Sequence, residues 1–471
     1  MAKMYIGGEW VQNGKSVNVV NPFSGETIDT VPQASLEDVA LAIESARRGA
    51  EVMRKLPAFD RYTILMNAVG LIRQRREDFA RTLSNEEGKT ITEARTEVDR
   101  CIQTMTWSAE EAKRLYGETI PLEASPGNST KFGFTVRVPV GVVVAISPFN
   151  FPLNLVAHKV GPALAAGNSV VIKPASDTPL SAIKLTEALL EAGIPAEGLQ
   201  LVTGSGGAIG DALVSNPAVR KVTFTGSQEV GEHICKTAGL KKVTMELGSN
   251  SPMIVMPDAD MDKVAAATVV SGYGNAGQVC ISTQRVIVDS KAYGDYLDAL
   301  KPRVEAIPFG DPSKDTTGMG PMVRERDAER VDQWLKEAVG AGAQLVTGGQ
   351  RRGAMMSPAV IANVTRDMRV VNEELFGPAV AVASAADINE AIALANNTRY
   401  GLAAAIFTEN IENAMRFALE VDAGNLNINS GTAFRADMMP YGGLKDSGMG
   451  KEGPRYAVDE MTELKMVIFH R

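Results

Sequence analysis

Residues Gly141-Val-Val-Val-Ala-Ile-Ser147 form a nearly continuous apolar run, the pattern of a strand buried on both faces. The chain beyond it alternates between strand and helix periodicity. Val170-Val-Ile172 reads as a strand, Pro179 to Glu191 as a helix, and Leu199 to Val202 and Lys221 to Phe224 as strands. Ser227 to Ala238 is helical again, and Val243 to Leu247 returns to strand. Strands alternating with helices in units of roughly 20–30 residues predict an α/β fold on a doubly wound parallel sheet. In such a sheet the ligand sits in the crevice at the carboxyl ends of the strands.

Toward the N-terminus, Met4 to Val31 predicts short strands broken by Gly7-Gly8, Asn13-Gly14 and Pro22. Ser35-Leu-Glu-Asp38 has the form of a capping box, and Val39, Ile43, Ala46 and Ala50 follow at helical spacing. Helical order then runs from Arg61 to about Arg114. Lys131-Phe-Gly-Phe-Thr-Val-Arg-Val138 alternates at period two and predicts a strand with one polar face. No internal repeat and no low-complexity linker divides the chain.

With 471 residues the chain is long enough for about three structural lobes and a large core. Hydrophobic residues at 45% and charged residues at 22% exclude a disordered or fibrous protein, and a net charge of −8 argues against a general nucleic-acid binder. Gly7, Gly8 and Glu9 interrupt any apolar core of a signal peptide. The most apolar stretch, Val138 to Ala157, is broken by Pro139, Gly141, Pro148 and Pro152, so no membrane helix is expected. Three cysteines (Cys101, Cys235, Cys280) make no disulfide framework, and three histidines without CxxC or HExxH make a metal site unexpected. These features point to a cytoplasmic, reduced protein.

Candidate chemistry is scattered, and each motif has a bland alternative. Gly204-Ser-Gly-Gly-Ala-Ile-Gly210 is glycine-rich after a strand but does not match GxGxxG. Gly226-Ser-Gln-Glu-Val-Gly231 has the outer spacing of a P-loop without its Lys-Ser/Thr, yet Thr225-Gly226-Ser227 opens a helix whose free N–H groups can hold a phosphate. Cys280 follows Gly274-Asn-Ala-Gly-Gln-Val279, a turn-rich approach unlike the helical setting of an inert core cysteine. Glu246, in Met245-Glu-Leu-Gly248, ends an apolar strand, where burial raises a carboxyl pKa toward that of a useful base; the alternative is a salt bridge at a strand edge. Asn150, in Pro148-Phe-Asn-Phe-Pro152, is placed either to donate to an oxyanion or to make a turn.

Taken together, these segments resemble the aldehyde dehydrogenase superfamily over essentially the whole chain. The resemblance rests on Pro148-Phe-Asn-Phe-Pro-Leu153, Val171-Ile-Lys-Pro174, Phe224-Thr-Gly-Ser227, Met245-Glu-Leu-Gly248 and Gly277-Gln-Val-Cys280. It continues in Glu373-Glu-Leu-Phe-Gly-Pro378, Asn397-Thr-Arg-Tyr-Gly-Leu402 and Pro440-Tyr-Gly-Gly-Leu-Lys445. The 34-residue separation of Glu246 and Cys280 agrees with the family. The resemblance implies Cys280 as nucleophile, Glu246 as the base that activates the hydrolytic water, and Asn150 with the Cys280 N–H as oxyanion donors. It further implies NAD or NADP as cofactor, bound by Ile146, Ser147, Pro148, Phe149, Lys173, Ala175, Ser176, Gly206, Gly210, Phe224, Thr225, Gly226, Ser227, Val230, Leu247, Gly248, Glu374 and Phe376. The reaction implied is NAD(P)-dependent oxidation of an aldehyde to its acid through a Cys thioester. CoA-acylating and catalytically silent relatives are the alternatives.

The chain departs from the family pattern twice. Many NAD-preferring relatives carry a glutamate shortly after Lys-Pro, whereas this chain has Lys173-Pro-Ala-Ser176; neutral Ser176 makes NADP possible beside a slight lean to NAD. Ser249 stands where the family usually has a second glycine. The resemblance divides the chain into a dinucleotide-binding domain (1–121 and 142–248), a catalytic domain (249–445) and bridging segments (122–141 and 446–471). The alternation of Phe132, Phe134, Val136 and Val138 leaves an apolar edge, so a homodimer or tetramer is expected. Asn150 to Lys159 and Ala433 to Pro440 resemble the lactaldehyde, non-phosphorylating glyceraldehyde-3-phosphate and phosphonoacetaldehyde dehydrogenase subgroup. That resemblance makes Arg100, Phe151, His158 and Arg435 the substrate-binding candidates for a small hydroxy- or acid-bearing aldehyde. Plain aliphatic or aromatic aldehydes are the alternative substrates, and structural salt bridges to Glu97 or Asp437 the alternative role for the two arginines. Val279, where some anion-specific relatives have an arginine, speaks against a dianionic substrate.

Overall fold

The structure is a computed structural model and describes residues 1–470. The chain opens with a hairpin of β1 (Met4–Ile6) and β2 (Glu9–Val11), then the antiparallel pair β3 (Ser16–Val20) and β4 (Thr27–Pro32). Helix α1 (Leu36–Lys55) starts at the expected capping box: Ser35 Oγ accepts from the Asp38 N–H, and the Asp38 carboxylate accepts from the Ser35 N–H. The helical stretch expected from Arg61 to Arg114 is three helices, α2 (Ala58–Gln74), α3 (Arg76–Glu87) and α4 (Ile91–Ala112). The break after α3 falls at Gly88, whose φ of 88° stops the helix in a left-handed cap, and Thr90 with Glu93 starts α4 by a second capping box.

Next come β5 (Thr119–Ile120), β6 (Lys131–Pro139), β7 (Val142–Ile146), α5 (Asn154–Ala165) and β8 (Ser169–Lys173). They are followed by α6 (Leu180–Glu191), β9 (Leu199–Leu201), α7 (Gly206–Ser215), β10 (Val219–Thr225), α8 (Gln228–Ala238) and β11 (Lys242–Glu246). Strands β9-β8-β7-β10-β11 lie side by side and parallel, so the strand order reverses between β7 and β10. That reversal opens the ligand crevice of a doubly wound sheet. Alternate residues of β7 feed two cores: Val143 and Ala145 pack with α2–α6, while Val142, Val144 and Ile146 pack with α1, α7 and α8. The apolar run that opens the reading is therefore apolar because both faces are covered.

A second, seven-stranded sheet is centred on β12 (Pro252–Val255) and β13 (Arg285–Asp289). A third sheet joins β5, β6 and Thr462–His470, the last pairing antiparallel with β6 from Thr462↔Pro139 to His470↔Lys131. Leu122–Ala124 is a 3₁₀ turn; the preceding Pro121 has no N–H to extend the ladder. Residues 446–461 do not join the bridging sheet: Gly448–Met449 pairs with the end of β11, Ser447 accepts from the Leu247 N–H, and Pro454–Glu460 packs on α4 and α5. The C-terminal segment thus closes over the end of the first sheet before crossing to the third.

Candidate active site

Asn150 sits just beyond β7, in a loop fastened from below. Its carbonyl accepts from Lys89 Nζ (2.8 Å) and Asn275 Nδ2 (3.0 Å), and its side-chain Nδ2 donates to the Gln278 carbonyl (2.8 Å). Lys89 is buried and paired with Glu97 (2.6 Å), so the loop rests on a compensated charge. The Cys280 loop enters through Asn275, Ala276 and Gly277, three successive residues with φ of 51°, 53° and 70°. Only glycine fits at 277, because a Cβ there would meet the Gly377 carbonyl oxygen at 2.1 Å. Asn275 is held in this left-handed conformation by Glu93, which accepts from its N–H (2.6 Å), and by Glu87, which accepts from its side chain (2.9 Å). The turn-forming residues before Cys280 are thus the backbone device that presents the thiol.

Glu246 ends β11 and is 3% exposed, yet neither carboxylate oxygen has a hydrogen-bond partner. Burial pushes its pKa well above the ordinary range, Glu452 adds to the rise, and Arg435 and Lys159 oppose it. Burial would raise Glu452 as well, but Lys159 and Arg435 hold it down at about 2. Lys159 Nζ donates to Glu452 (2.8 Å) and Thr225 Oγ1 (2.6 Å), and Arg435 donates to Glu452 (3.0 Å). Two neighbouring carboxyls are driven apart in this way, one kept anionic and one left free to take a proton. Cys280 Sγ lies 3.1 Å from the Tyr441 hydroxyl; burial pushes its thiol up to about 11, while Tyr441 and Arg435 work against that rise.

Asn150, Glu246 and Cys280 all open onto one cleft of ≈ 1100 Å³ at the carboxyl ends of the parallel strands. Every residue expected at the cofactor, from Ile146 through Ser227 to Phe376, borders it as well. The walls suit a dinucleotide. Gly206, Gly207 and Gly210 face the cleft, and a Cβ on any of them would meet nothing within 4 Å, so the backbone of α7 is open to a ligand. Ser205 caps α7 without a side-chain hydrogen bond, and Ser227 caps α8, so two helix N-termini face the same space. Lys173 reaches only the Pro174 carbonyl (3.3 Å); burial lowers its pKa to about 8, while Asp177 raises it. Glu374 accepts from the Ser249 N–H (2.8 Å), and burial raises its pKa to about 7. Ser249, the unexplained departure, needs no positive φ, and its hydroxyl pairs with Ser251 (3.2 Å).

The cleft also contains residues that the sequence reading missed. Arg324 pairs with Asp177 across it and lies over the Phe149 ring (4.9 Å), and Phe149 meets Phe376 edge-on (5.9 Å). Arg330 and Trp334 border the same wall. They sit in a charged helical stretch, 325–340, where no local signal separates a cleft-facing arginine from a solvated one. The four substrate candidates do not border this cleft. Asp437 accepts from Arg100 (2.8 Å), Asn154 (3.1 Å) and, as the ring is placed, His158 (2.9 Å), and Phe151 lies against Lys89 (4.2 Å) and Arg100 (5.8 Å). Arg435 pairs with Glu452 instead of an acidic neighbour at 437 or 97, although its Nε is buried without a partner. Each arginine therefore already has a carboxylate, and the free arginine fork is not formed.

The aldehyde dehydrogenase family model matches residues 10–467. A 3-sulfolactaldehyde dehydrogenase of Priestia aryabhattai is 46% identical over 467 residues, covering 99% of this chain and 98% of that protein. A lactaldehyde dehydrogenase of Methanococcus vannielii is 41% identical over 475 residues, covering 99% of this chain and 100% of that protein. Among solved structures, glyceraldehyde-3-phosphate dehydrogenase GapN of Methanocaldococcus jannaschii, complexed with NADP, superposes with a TM-score of 0.94 at 39% identity, over 98% of this chain and 100% of that chain.

Proposed function

The chain belongs to the aldehyde dehydrogenase family, and from that premise we propose that Cys280, Glu246 and Asn150 oxidise a small polar aldehyde to its carboxylic acid. The observation that carries this reading is the meeting of all three in one cleft, with the Glu246 carboxylate unpartnered beside the thiol. The two helix N-termini, Lys173 and Glu374 would hold a nicotinamide dinucleotide, which would supply the hydride acceptor. The Cys280 sulfur attacks the aldehyde carbonyl, and Asn150 and the Cys280 N–H stabilise the oxygen that becomes negative. Glu246 takes a proton from the water that releases the acid from the thioester. The buried Glu246 carboxyl, unpartnered and bordering the same cleft as Cys280, supports water over CoA as acyl acceptor.

The substrate reading draws on relatives that act on sulfolactaldehyde, lactaldehyde and glyceraldehyde-3-phosphate, and on Arg435, buried next to the Tyr441–Cys280 contact. Its Nε is buried without a hydrogen-bond partner, although the side chain does not border the cofactor cleft. The test is a kinetic panel of lactaldehyde, sulfolactaldehyde, glyceraldehyde-3-phosphate, succinic semialdehyde, hexanal and benzaldehyde, with and without CoA and repeated with Arg435→Ala. The polar aldehydes are expected to give the highest kcat/KM without CoA, and Arg435→Ala to cost the anionic ones about tenfold more than lactaldehyde. Hexanal or benzaldehyde as best substrate, or an equal loss for charged and neutral aldehydes, refutes it.

We further propose that NADP is accepted beside NAD. The Ser176 hydroxyl donates to the Gly204 carbonyl (3.2 Å), and Ser176 brings no charge against a 2′-phosphate. Ser176→Glu is expected to lower kcat/KM for NADP at least about tenfold while leaving NAD nearly unchanged. An unchanged ratio of the two cofactors means that the ribose is read elsewhere. For assembly, Phe132 and Phe469 are 41% and 54% exposed, and with Phe134 they form one aromatic cluster on the outer sheet. We propose that a second copy covers it; light scattering at micromolar concentration is expected to give a dimer or tetramer and not a 50 kDa species. Three unpaired cysteines fit a reducing, cytoplasmic setting, and no described helix is long and apolar enough to cross a membrane.

A further inference from the structure

Tyr441 is 1% exposed, and its hydroxyl is the side-chain polar group in contact with Cys280 Sγ, at 3.1 Å. The ring is fixed from two sides. Its backbone N–H donates to the Glu452 carbonyl (3.1 Å) and its carbonyl accepts from the Glu452 N–H (2.7 Å). The Arg435 guanidinium lies over the ring face, 3.8 Å from the centroid, and is itself held by the Glu452 carboxylate at 3.0 Å. Glu452 is anchored in turn by Lys159 (2.8 Å). The phenol oxygen is thus held against the sulfur.

A neutral thiol and a phenol can share a hydrogen bond in either sense. Once the sulfur is a thiolate it has no proton to give, and the phenol alone donates. Bonds to an ionised acceptor are the stronger kind, so the contact favours the charged sulfur over the neutral one. Burial keeps the Tyr441 phenol protonated, and the arginine over its ring polarises the O–H toward donation. The titratable and charged groups facing Cys280 are Tyr441 and Arg435 from the C-terminal loop, Glu246 from the end of β11, and Glu374 from the loop after Arg369–Asn372. The two carboxyls disfavour a thiolate, which leaves Tyr441 and Arg435 to support it.

We propose that Tyr441 is a catalytic residue whose hydroxyl donates a hydrogen bond to the Cys280 thiolate, with Arg435 as the positioning residue that holds and polarises it. The inference rests on Cys280 being the nucleophile. In the first half-reaction the S–C bond forms as the carbonyl π pair moves to oxygen, so the tyrosine acts before attack by keeping the thiolate available; a bound nicotinamide dinucleotide would take the hydride whose loss from carbon leaves the thioester. In the second, water adds to the thioester carbon as Glu246 takes its proton; the C–S bond then breaks with its electron pair on sulfur, and Tyr441 receives that charge. One donor thus serves both the nucleophile and the leaving group.

Iodoacetamide labelling of the Cys280 peptide, followed by mass spectrometry across a pH series, tests this on the whole enzyme without ligand. Tyr441→Phe keeps the ring and removes the donor. Its labelling midpoint is expected to rise by about one pH unit, with labelling at pH 7 and kcat/KM each falling about tenfold. Site-specific 3-fluorotyrosine at the same position, a more acidic phenol of nearly the same size, is expected to move the midpoint down, which covers the case that Phe packs poorly. An unshifted or lowered midpoint in Tyr441→Phe, with Cys280 still acylated by substrate, overturns the role of Tyr441 alone. Full turnover by Cys280→Ala overturns the nucleophile reading and this inference with it.

Discussion

Cys280→Ala is expected to abolish aldehyde oxidation, lowering kcat by at least about 10⁴-fold while cofactor binding stays intact. Among the described residues Cys280 is the one cysteine that borders the cleft with Asn150 and Glu246, so no other thiol can substitute for it. Cys101 is on the buried face of α4, where burial pushes its pKa well up. Cys235 is on α8, partly exposed, and does not border the cleft. The loop geometry depends on the backbone of residues 275–277 and not on the sulfur, so the alanine variant should fold and titrate the dinucleotide as the parent does. Intrinsic fluorescence titration with NAD and NADP separates the two effects. If turnover persists in Cys280→Ala at more than about a hundredth of the parent rate, the covalent route is wrong.

Glu246→Gln is expected to split the reaction in two. Acylation of Cys280 needs no base at residue 246, so the first turnover should still release one equivalent of reduced cofactor. Deacylation loses its proton acceptor, and the steady-state rate should fall by about 10²–10⁴-fold. A full burst followed by near arrest is the signature, and rapid-mixing absorbance reads both phases. The pH dependence has a definite sign. Burial raises the pKa of Glu246, so the carboxyl is protonated and inactive as a base on the acid side and gains activity as pH rises. The parent steady-state rate should therefore climb with pH, and the glutamine variant should lose that limb. A variant that loses burst and steady state together would place Glu246 in acylation, contrary to its proposed role.

Features set by local physical requirements are legible in the chain. Strand β7 reads as buried because five successive apolar residues admit no solvent face, and α1 announces its start because Ser35 and Asp38 satisfy each other's backbone N–H groups. The left-handed entry to Cys280 is likewise legible, since Gly277 and Asn275 are residue types that tolerate it. Motif order and the spacing of Glu246 to Cys280 brought the cleft residues together on paper, and the parallel strands bring their carboxyl ends to one crevice in the fold.

Charge pairing was a different matter. Sequence alone leaves Arg100 open between a cation for substrate and a structural salt bridge, and its partner is Asp437, 337 residues away. Arg435 is open in the same way, and the carboxylate that pairs with it is Glu452, a residue no local signal picks out. Arg324 carried no signal at all, yet it joins Asp177 across the cleft. Tyr441 stood inside a recognised motif without a role until its hydroxyl met the sulfur 161 residues earlier in the chain. A side chain's own residue type and its near neighbours set periodicity, caps and backbone conformation, and the sequence by itself determined these. Which carboxylate neutralises which arginine, and which phenol faces the thiol, depends on segments hundreds of residues apart being packed to within 3 Å or so, and that only the tertiary structure decided.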